Sequence, residues 1–293
     1  MPTMEITTTV GCTLACTFCP QDKLLKAYKK GSDKVMSMRT FESILSKVPK
    51  HVRINFSGLS EPWLNPLATG MLQKTLEQGR PVAIYTTLQN MSLSDAIIVK
   101  SLLEKFEPQI SLICLHLPDQ SMNMRGYKPS DAFPEVLKTI LSVADGNIFP
   151  RGKLEVMTMD GSGQVHEDVA HIVQNLPAWQ GHTRAGNISK ALSEKIVAMP
   201  TPRHDFSITC GKTPFYDHNV VMPNGDVLLC CMDYSLDNII GNILETDYWD
   251  LFSSPALQKL RILNQKPEFS SDSICKSCTT AVKVVPYYEP YKA

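Results

Sequence analysis

The residues most able to do chemistry in this 293-residue chain are its nine cysteines, and they are unevenly placed. Cys12, Cys16 and Cys19 form a CxxxCxxC run near the start. Cys210, Cys230, Cys231, Cys275 and Cys278 lie in the last third, and Cys114 stands between the groups. Three thiolates on one tight loop can hold three irons of a cubane and leave the fourth iron without a protein ligand. A structural zinc site usually closes with four ligands, so three alone argue against one. Two cysteine groups around a cysteine-poor middle predict two metal sites, since disulfides are rare in a reducing compartment.

The front motif, with the aromatic Phe18 just before its third cysteine, resembles the radical S-adenosylmethionine (SAM) superfamily. The resemblance implies that Cys12, Cys16 and Cys19 hold a 4Fe–4S cluster whose open iron SAM chelates. One electron then cleaves SAM to a 5′-deoxyadenosyl radical. Ser57-Gly58-Leu59-Ser60-Glu61-Pro62 is similar to the family's Gly-Gly-Glu segment, with Ser60 where a second glycine is common. It implies that Glu61 accepts from the SAM ammonium, the alternative being a solvated loop glutamate. His116 falls where relatives place a polar residue near the SAM ribose, or is a satisfied polar group at a barrel rim. Arg125, before Gly126, falls where an arginine often meets the SAM carboxylate. His182-Thr183-Arg184-Ala185-Gly186-Asn187 is similar to a substrate-facing Arg-Ala-Gly-Asn segment. Arg184 is then a substrate contact, either proton acceptor or anion holder, with a surface ion pair as the rival reading.

The later cysteines resemble the auxiliary-cluster domain called SPASM and its shortened form, twitch. Fifteen residues follow Cys278 and none is cysteine, which favours the shortened form. The resemblance implies that Cys210, Cys230, Cys275 and Cys278 give four thiolates to a second 4Fe–4S cluster. Tetrahedral zinc would suit the same four. Cys231 follows a proposed ligand in a strand-like segment, so its side chain is expected to point the other way and pack. Cys114 is expected to be a small buried core residue.

These groups need a frame. Glu5–Val10, Val52 to Phe56, Val82–Thr87, Ile110–Leu117 and Leu154–Met159 read as strands, with a weaker sixth at Trp179–Arg184. Met38, Phe41, Ile44, Leu45 and Val48 recur at helical spacing behind Ser37 as N-cap, with Pro49 as the stop. Leu67, Met71, Leu72 and Leu76 form another helical face closed by Gly79. Alternating strands and helices imply an α/β fold with a parallel sheet, open or closed. The resemblance narrows this to a partial (β/α)6 barrel over residues 1–200, with a twitch-like domain over 201–293. Pro200, Pro202 and His204 mark the boundary. In the second part, Val220–Met222 and Val227–Leu229 flank Asn224-Gly225 as a hairpin, and a helix runs over Asp247–Leu263.

Lys+Arg and Asp+Glu balance at 29 each, so no net field draws in nucleic acid or an anionic membrane. No apolar run reaches the ~20 residues of a membrane span, and a cytoplasmic location is the expectation. Lys23, Lys26, Lys29, Lys30 and Lys34 read as a solvated helix face, or as a mouth for a phosphorylated substrate. The resemblance implies a small-molecule substrate and a flavodoxin- or ferredoxin-type electron donor. Among auxiliary-cluster relatives, the spacing is nearest to an aminocyclitol dehydrogenase. The expected chemistry is therefore oxidation at a carbinol of a sugar or aminocyclitol, with radical epimerisation or peptide modification as alternatives. An iron–sulfur electron carrier or a zinc protein is the non-enzymatic alternative.

Anaerobically reconstituted protein is expected to hold about eight irons and eight sulfides per chain. Alanine at Cys12, Cys16 and Cys19 should remove about half the iron and all SAM cleavage, and alanine at the four later cysteines the other half. Zinc at the second site in anaerobically purified protein would contradict this assignment.

Overall fold

The computed structural model describes residues 1–145, 150, 152–159, 162–177, 183–188 and 200–284. Chain order runs β1 (Thr3–Ile6), α1 (Gln21–Ala27), α2 (Met38–Lys47), β2 (Arg53–Phe56), α3 (Ala68–Glu77), β3 (Val82–Thr86), α4 (Leu93–Lys105), β4 (Ile110–Leu117), α5 (Ala132–Leu141), β5 (Leu154–Thr158) and α6 (Glu167–Ala170). Beyond residue 200 come β6 (Ile208–Cys210), β7 (His218–Val221), β8 (Asp226–Leu228), β9 (Ile239–Asn242), α7 (Pro255–Gln265) and β10 (Ala281–Lys283).

Strands β5-β4-β3-β2-β1 form a parallel sheet with a helix in each crossover. The sheet continues past β1 into β7, which is parallel to it, and then into antiparallel β8 and β9. A separate antiparallel pair joins β6 to β10.

Strand parity divides the sheet. Met4, Ile6, Ile54, Phe56, Ile84, Ile113 and Leu115 join the apolar faces of the helices in one core. The alternate residues Glu5, Asn55, Tyr85, Cys114, His116, Glu155 and Met157 line a cavity on the other side. Residues of β1 to β5 and of β7 all line it, so the sheet curves around that space. Of the expected sixth strand, Trp179 to His182 lie outside the described residues, and Arg184 opens a 3₁₀ turn.

Local signals act where the sequence places them. Ser37 Oγ accepts from the Thr40 amide at 3.0 Å and starts α2. Gly79, at φ +75°, donates its amide to the Leu76 carbonyl and ends α3.

Three expectations shift. β1 is Thr3–Ile6 rather than Glu5–Val10, because Thr7 turns its hydroxyl to the Leu59 amide and joins the next loop. The helix expected over Asp247–Leu263 is broken: a 3₁₀ segment Tyr248–Ser253 precedes α7. Ser254 caps α7 and Pro255 occupies its first position, where a missing N–H costs nothing. Within the hairpin turn only Gly225 takes a positive φ (+87°), its amide donating to the Met222 carbonyl. Asn224 stays out of the left-handed region. No helix among the described residues is long and apolar enough to cross a membrane.

A Cβ at Gly225 would lie 2.6 Å from Asn242 Oδ1 and 2.6 Å from Leu244 Cγ. Gly225→Ala should therefore lower stability by about 2 kcal/mol or more, against ~1 kcal/mol for Ser37→Ala, in urea denaturation. Equal costs would contradict the strained turn.

Candidate active site

The cysteine loop leaves β1 through Gly11 (φ +97°), and Ala15 is left-handed at φ +47°. The Cys19 amide donates to the Cys16 carbonyl at 3.0 Å, and the Cys12 amide to Gln21 Oε1 at 3.4 Å. A second loop braces it from outside. Thr17 donates its amide to the Asn123 carbonyl (2.8 Å), and Gly126 donates to the Leu14 carbonyl (2.7 Å). A Cβ on Gly126 would collide with the Thr13 carbonyl oxygen, so the close approach requires glycine. Arg125 is exposed, and its Nε donates to the Ala15 carbonyl at 2.8 Å. It grips the outer side of the loop and is not among the cavity-lining residues, contrary to the expectation that it meets the SAM carboxylate.

All three cysteines line one cavity of about 140 Å³, together with Phe18, Ser57, Gly58, Ser60, Glu61, His116 and Arg184. Burial pushes the Cys12 and Cys16 thiols up, and for Cys16 the neighbouring Cys19 and Cys12 add to it. Gly58 has φ +62°, and a Cβ there would lie 2.7 Å from the Thr7 backbone, so this turn also requires glycine. Gln21, which the sequence reading missed, ties the two motifs together: Nε2 donates to the Leu59 carbonyl and to Cys19 Sγ.

Glu61 is 4% exposed, and its carboxylate is fully used by the chain. Oε1 accepts from Thr86 Oγ1 (2.6 Å) and the Trp63 amide (3.2 Å), and Oε2 accepts from the amide and hydroxyl of Thr87 (2.7 Å each). A carboxylate offers about four lone-pair sites. Glu61 thus ties the end of β3 to the Pro62–Leu64 turn instead of offering an open oxygen to a ligand. Burial keeps its pKa above the ordinary carboxylate value despite these bonds. Ser60 Oγ, by contrast, is buried on the cavity wall without a partner.

Burial and the Arg184 charge push His116 down to about 4, so the imidazole is neutral at pH 7. Arg184, Ala185 and Gly186 are consecutive left-handed residues with φ +48°, +51° and +84°. Asn187 holds this segment, its Nδ2 donating to the Met232 carbonyl (2.8 Å) and its Oδ1 accepting from Lys23 Nζ (3.2 Å). The Arg184 guanidinium lies 5.8 Å from the Tyr234 ring centroid. Burial acts to lower its pKa, and the acidic groups Tyr234, Cys231, Cys19 and Glu5 outweigh that, so it stays charged. The remaining lysines of the basic stretch, Lys26, Lys29, Lys30 and Lys34, are exposed.

A larger cavity, about 610 Å³, shares Ser57, Gly58, Tyr85, His116, Met159 and Arg184 with the first. It adds Glu5, Asn55, Cys114, Glu155, Lys212, His218 and Cys231. Glu5 Oε1 bonds His218 Nε2 at 2.6 Å, and Oε2 accepts from Ser57 Oγ at 3.1 Å. Burial alone would raise Glu5; His218, Lys212 and Ser57 outweigh it and hold the carboxyl below its ordinary range.

Cys210, Cys230, Cys275 and Cys278 line a third cavity, and Cys231 lines both this one and the large one. The expectation that Cys231 packs away from the site is overturned. β8 ends at Leu228, and a turn from Cys230 to Asp233 replaces the strand whose alternation was assumed. Cys114 is 2% exposed, as expected of a core residue, yet it too borders the large cavity. Among the described residues, no three His, Cys, Asp or Glu side chains converge on a single-ion position.

Residues 210–279 match the SPASM model, described as an iron–sulfur cluster-binding domain. BtrN, solved in complex with AdoMet and 2-DOIA, superposes with a TM-score of 0.55 at 15% identity, over 97% of this chain and 94% of that one. Native anSMEcpe with bound AdoMet superposes at 0.51 and 16% identity, over 94% and 86%. The chain shares the fold of these AdoMet-bound structures and carries a SPASM domain match. No curated protein matches the sequence significantly. Of the residues singled out from sequence, all the cysteines and every expected SAM- or substrate-facing group except Arg125 line this connected set of cavities.

Glu61→Ala would strand four donors and should cost about 3 kcal/mol or more of stability. Urea denaturation in the absence of SAM measures it. Weakened SAM binding at unchanged stability would contradict the bonding role and restore the ligand role.

Proposed function

We propose that this chain is a radical SAM enzyme that removes a hydrogen atom from a polar small molecule. One observation carries the reading: the cavity of the CxxxCxxC loop and the large polar cavity share six residues, and the large cavity in turn meets the SPASM cysteines through Cys231. Cys12, Cys16 and Cys19 would hold one 4Fe–4S cluster, leaving an iron for SAM, and Cys210, Cys230, Cys275 and Cys278 an auxiliary one. The donors fit: three thiols line one cavity and four line another, and thiolate, formed when a metal binds, is the ligand of iron–sulfur clusters. The four later thiols also ring a cavity, which suits a cubane better than a lone zinc. When bound, these groups supply a 5′-deoxyadenosyl radical and a one-electron partner. A flavodoxin- or ferredoxin-type protein is the proposed electron source. Residues 1–200 are taken as the barrel unit and 201–293 as the auxiliary unit.

The chain's own residues bind, orient and shield. Gly58 permits close backbone approach, and Ser60 Oγ offers a free hydrogen-bonding group beside the thiols. Arg184 acts as an anion holder rather than a proton acceptor, because a guanidinium that stays charged cannot take a proton. The polar wall suits a carbinol of a sugar or aminocyclitol, and the curved sheet and hairpin keep water from the radical.

Dehydrogenation is the first reading. Epimerisation is the second, and one observation favours it: two thiols, Cys114 and Cys231, border the large cavity, where either could return a hydrogen atom. Reaction of a converted sugar in deuterated water separates them. Loss of about two mass units marks dehydrogenation. Unchanged oxidation state with a solvent deuterium at carbon, lost in Cys231→Ala or Cys114→Ala, marks epimerisation. Failure of the reduced holoprotein to cleave SAM would remove both.

A further inference from the structure

The large cavity has an uneven charge pattern. Of its two carboxylates, Glu5 is committed on both oxygens, to His218 and Ser57. Glu155 stands on β5 beside Cys114, its register partner on β4. The cations are less well matched. Lys212 Nζ has one hydrogen-bond partner among the described residues, the sulfur of Cys231 at 3.7 Å. Arg184 has no hydrogen-bonded partner there, and its Nε is buried without one. Neither cation has a carboxylate within the 4.0 Å of an ion pair among the described residues. Asn55, 2% exposed, also leaves its Oδ1 unpartnered on the same wall.

Leaving the Arg184 Nε and the Asn55 amide oxygen buried without partners is costly unless a ligand completes them, and Lys212, exposed on the same wall, adds a cation with no carboxylate partner among the described residues. A neutral His116 adds no competing cation, and Cys231, 3.7 Å from Lys212 Nζ, lines the same cavity as both cations.

We propose that the substrate carries an oxyanion, a carboxylate or a phosphate ester, held by Lys212 and Arg184 at the Cys231 end of the large cavity. This rests on the reading of that cavity as the substrate site. Asn55 then receives a hydroxyl, and Glu155 faces the end of the molecule remote from the anion. Among carbinol-bearing molecules the pocket selects acidic members over aminated ones, because an ammonium at the Lys212–Arg184 end would meet two like charges. Lys212 is a forkless point charge suited to either anion, and Arg184 supplies the planar donor set.

The test is calorimetric titration of the anaerobically reconstituted, SAM-loaded protein with glucose, glucosamine, glucuronate and glucose 6-phosphate. Glucuronate or glucose 6-phosphate should bind at least about tenfold more tightly than the other two, as a charge-assisted contact gives. Whichever leads identifies carboxylate or phosphate. Lys212→Met and Arg184→Met should each erase the preference, and Lys212→Arg should keep it, with iron content unchanged in all three and SAM affinity unchanged in the two Lys212 variants. Equal binding or no binding of the four probes overturns the proposal. So does a variant whose only change is in SAM affinity or iron content, because the cations would then serve the cofactors. Loss of SAM binding in the unaltered protein would instead bring down the functional reading itself, and is seen before any sugar is added.

Discussion

Strand β1 is the member on which both halves of the sheet depend, and a buried carboxylate secures it. β1 pairs with β2 on one side and with β7 on the other, although some 210 residues of chain separate β1 from β7. Glu5, 5% exposed, reaches His218 on β7 and Ser57 beyond β2 from its midpoint. Removing His218 leaves a buried Glu5 carboxylate oxygen without its hydrogen-bond donor, at a cost of about 1–3 kcal/mol. The same contacts fix the position of Ser57, and with it the Gly58 turn that packs on Thr7. Sheet register, the mouth of the cysteine-loop cavity and the seating of the hairpin are therefore set together.

Around that strand, one simple rule divides labour. A parallel sheet covered on both sides normally carries near-continuous apolar strands. Here one parity is apolar and packs under the helices, while the other carries acids, bases, thiols and amides into a cavity. The polar parity is affordable because its groups either satisfy one another, as Glu5 and His218 do, or face space that a ligand can fill. The SPASM segment completes the enclosure by contributing His218, Lys212 and Cys231 from beyond β5.

How much of this could be read from sequence depended on range. The CxxxCxxC loop and the Ser57–Glu61 turn were legible because a few adjacent residues specify them, and five strands and two helix ends followed from periodicity and capping. Longer-range effects were not. Glu61 is engaged by Thr86 and Thr87, from a strand 25 residues on, and spacing cannot show that a carboxylate is already saturated. Arg125 turned outward because its backbone is pinned to the cysteine loop through Gly126. Cys231 was misplaced through a false premise: a turn had replaced the strand whose parity would have hidden it. Lys212, His218 and Glu5 carry no motif at all. The break before α7 was in fact signalled locally, since Ser254-Pro255 is a capping pair, and the apolar periodicity on either side masked it.

Cys230 faces only the SPASM cavity, whereas Cys231 borders that cavity and the large one. Lys212, His218 and Thr280 line both as well, so the two chambers share part of their walls. Charge added to either chamber acts on the other through protein of low polarisability rather than through water, where the same charge would be strongly screened. The two compartments therefore share an electrical environment, and a charge that appears in one shifts the ionisation of groups in the other.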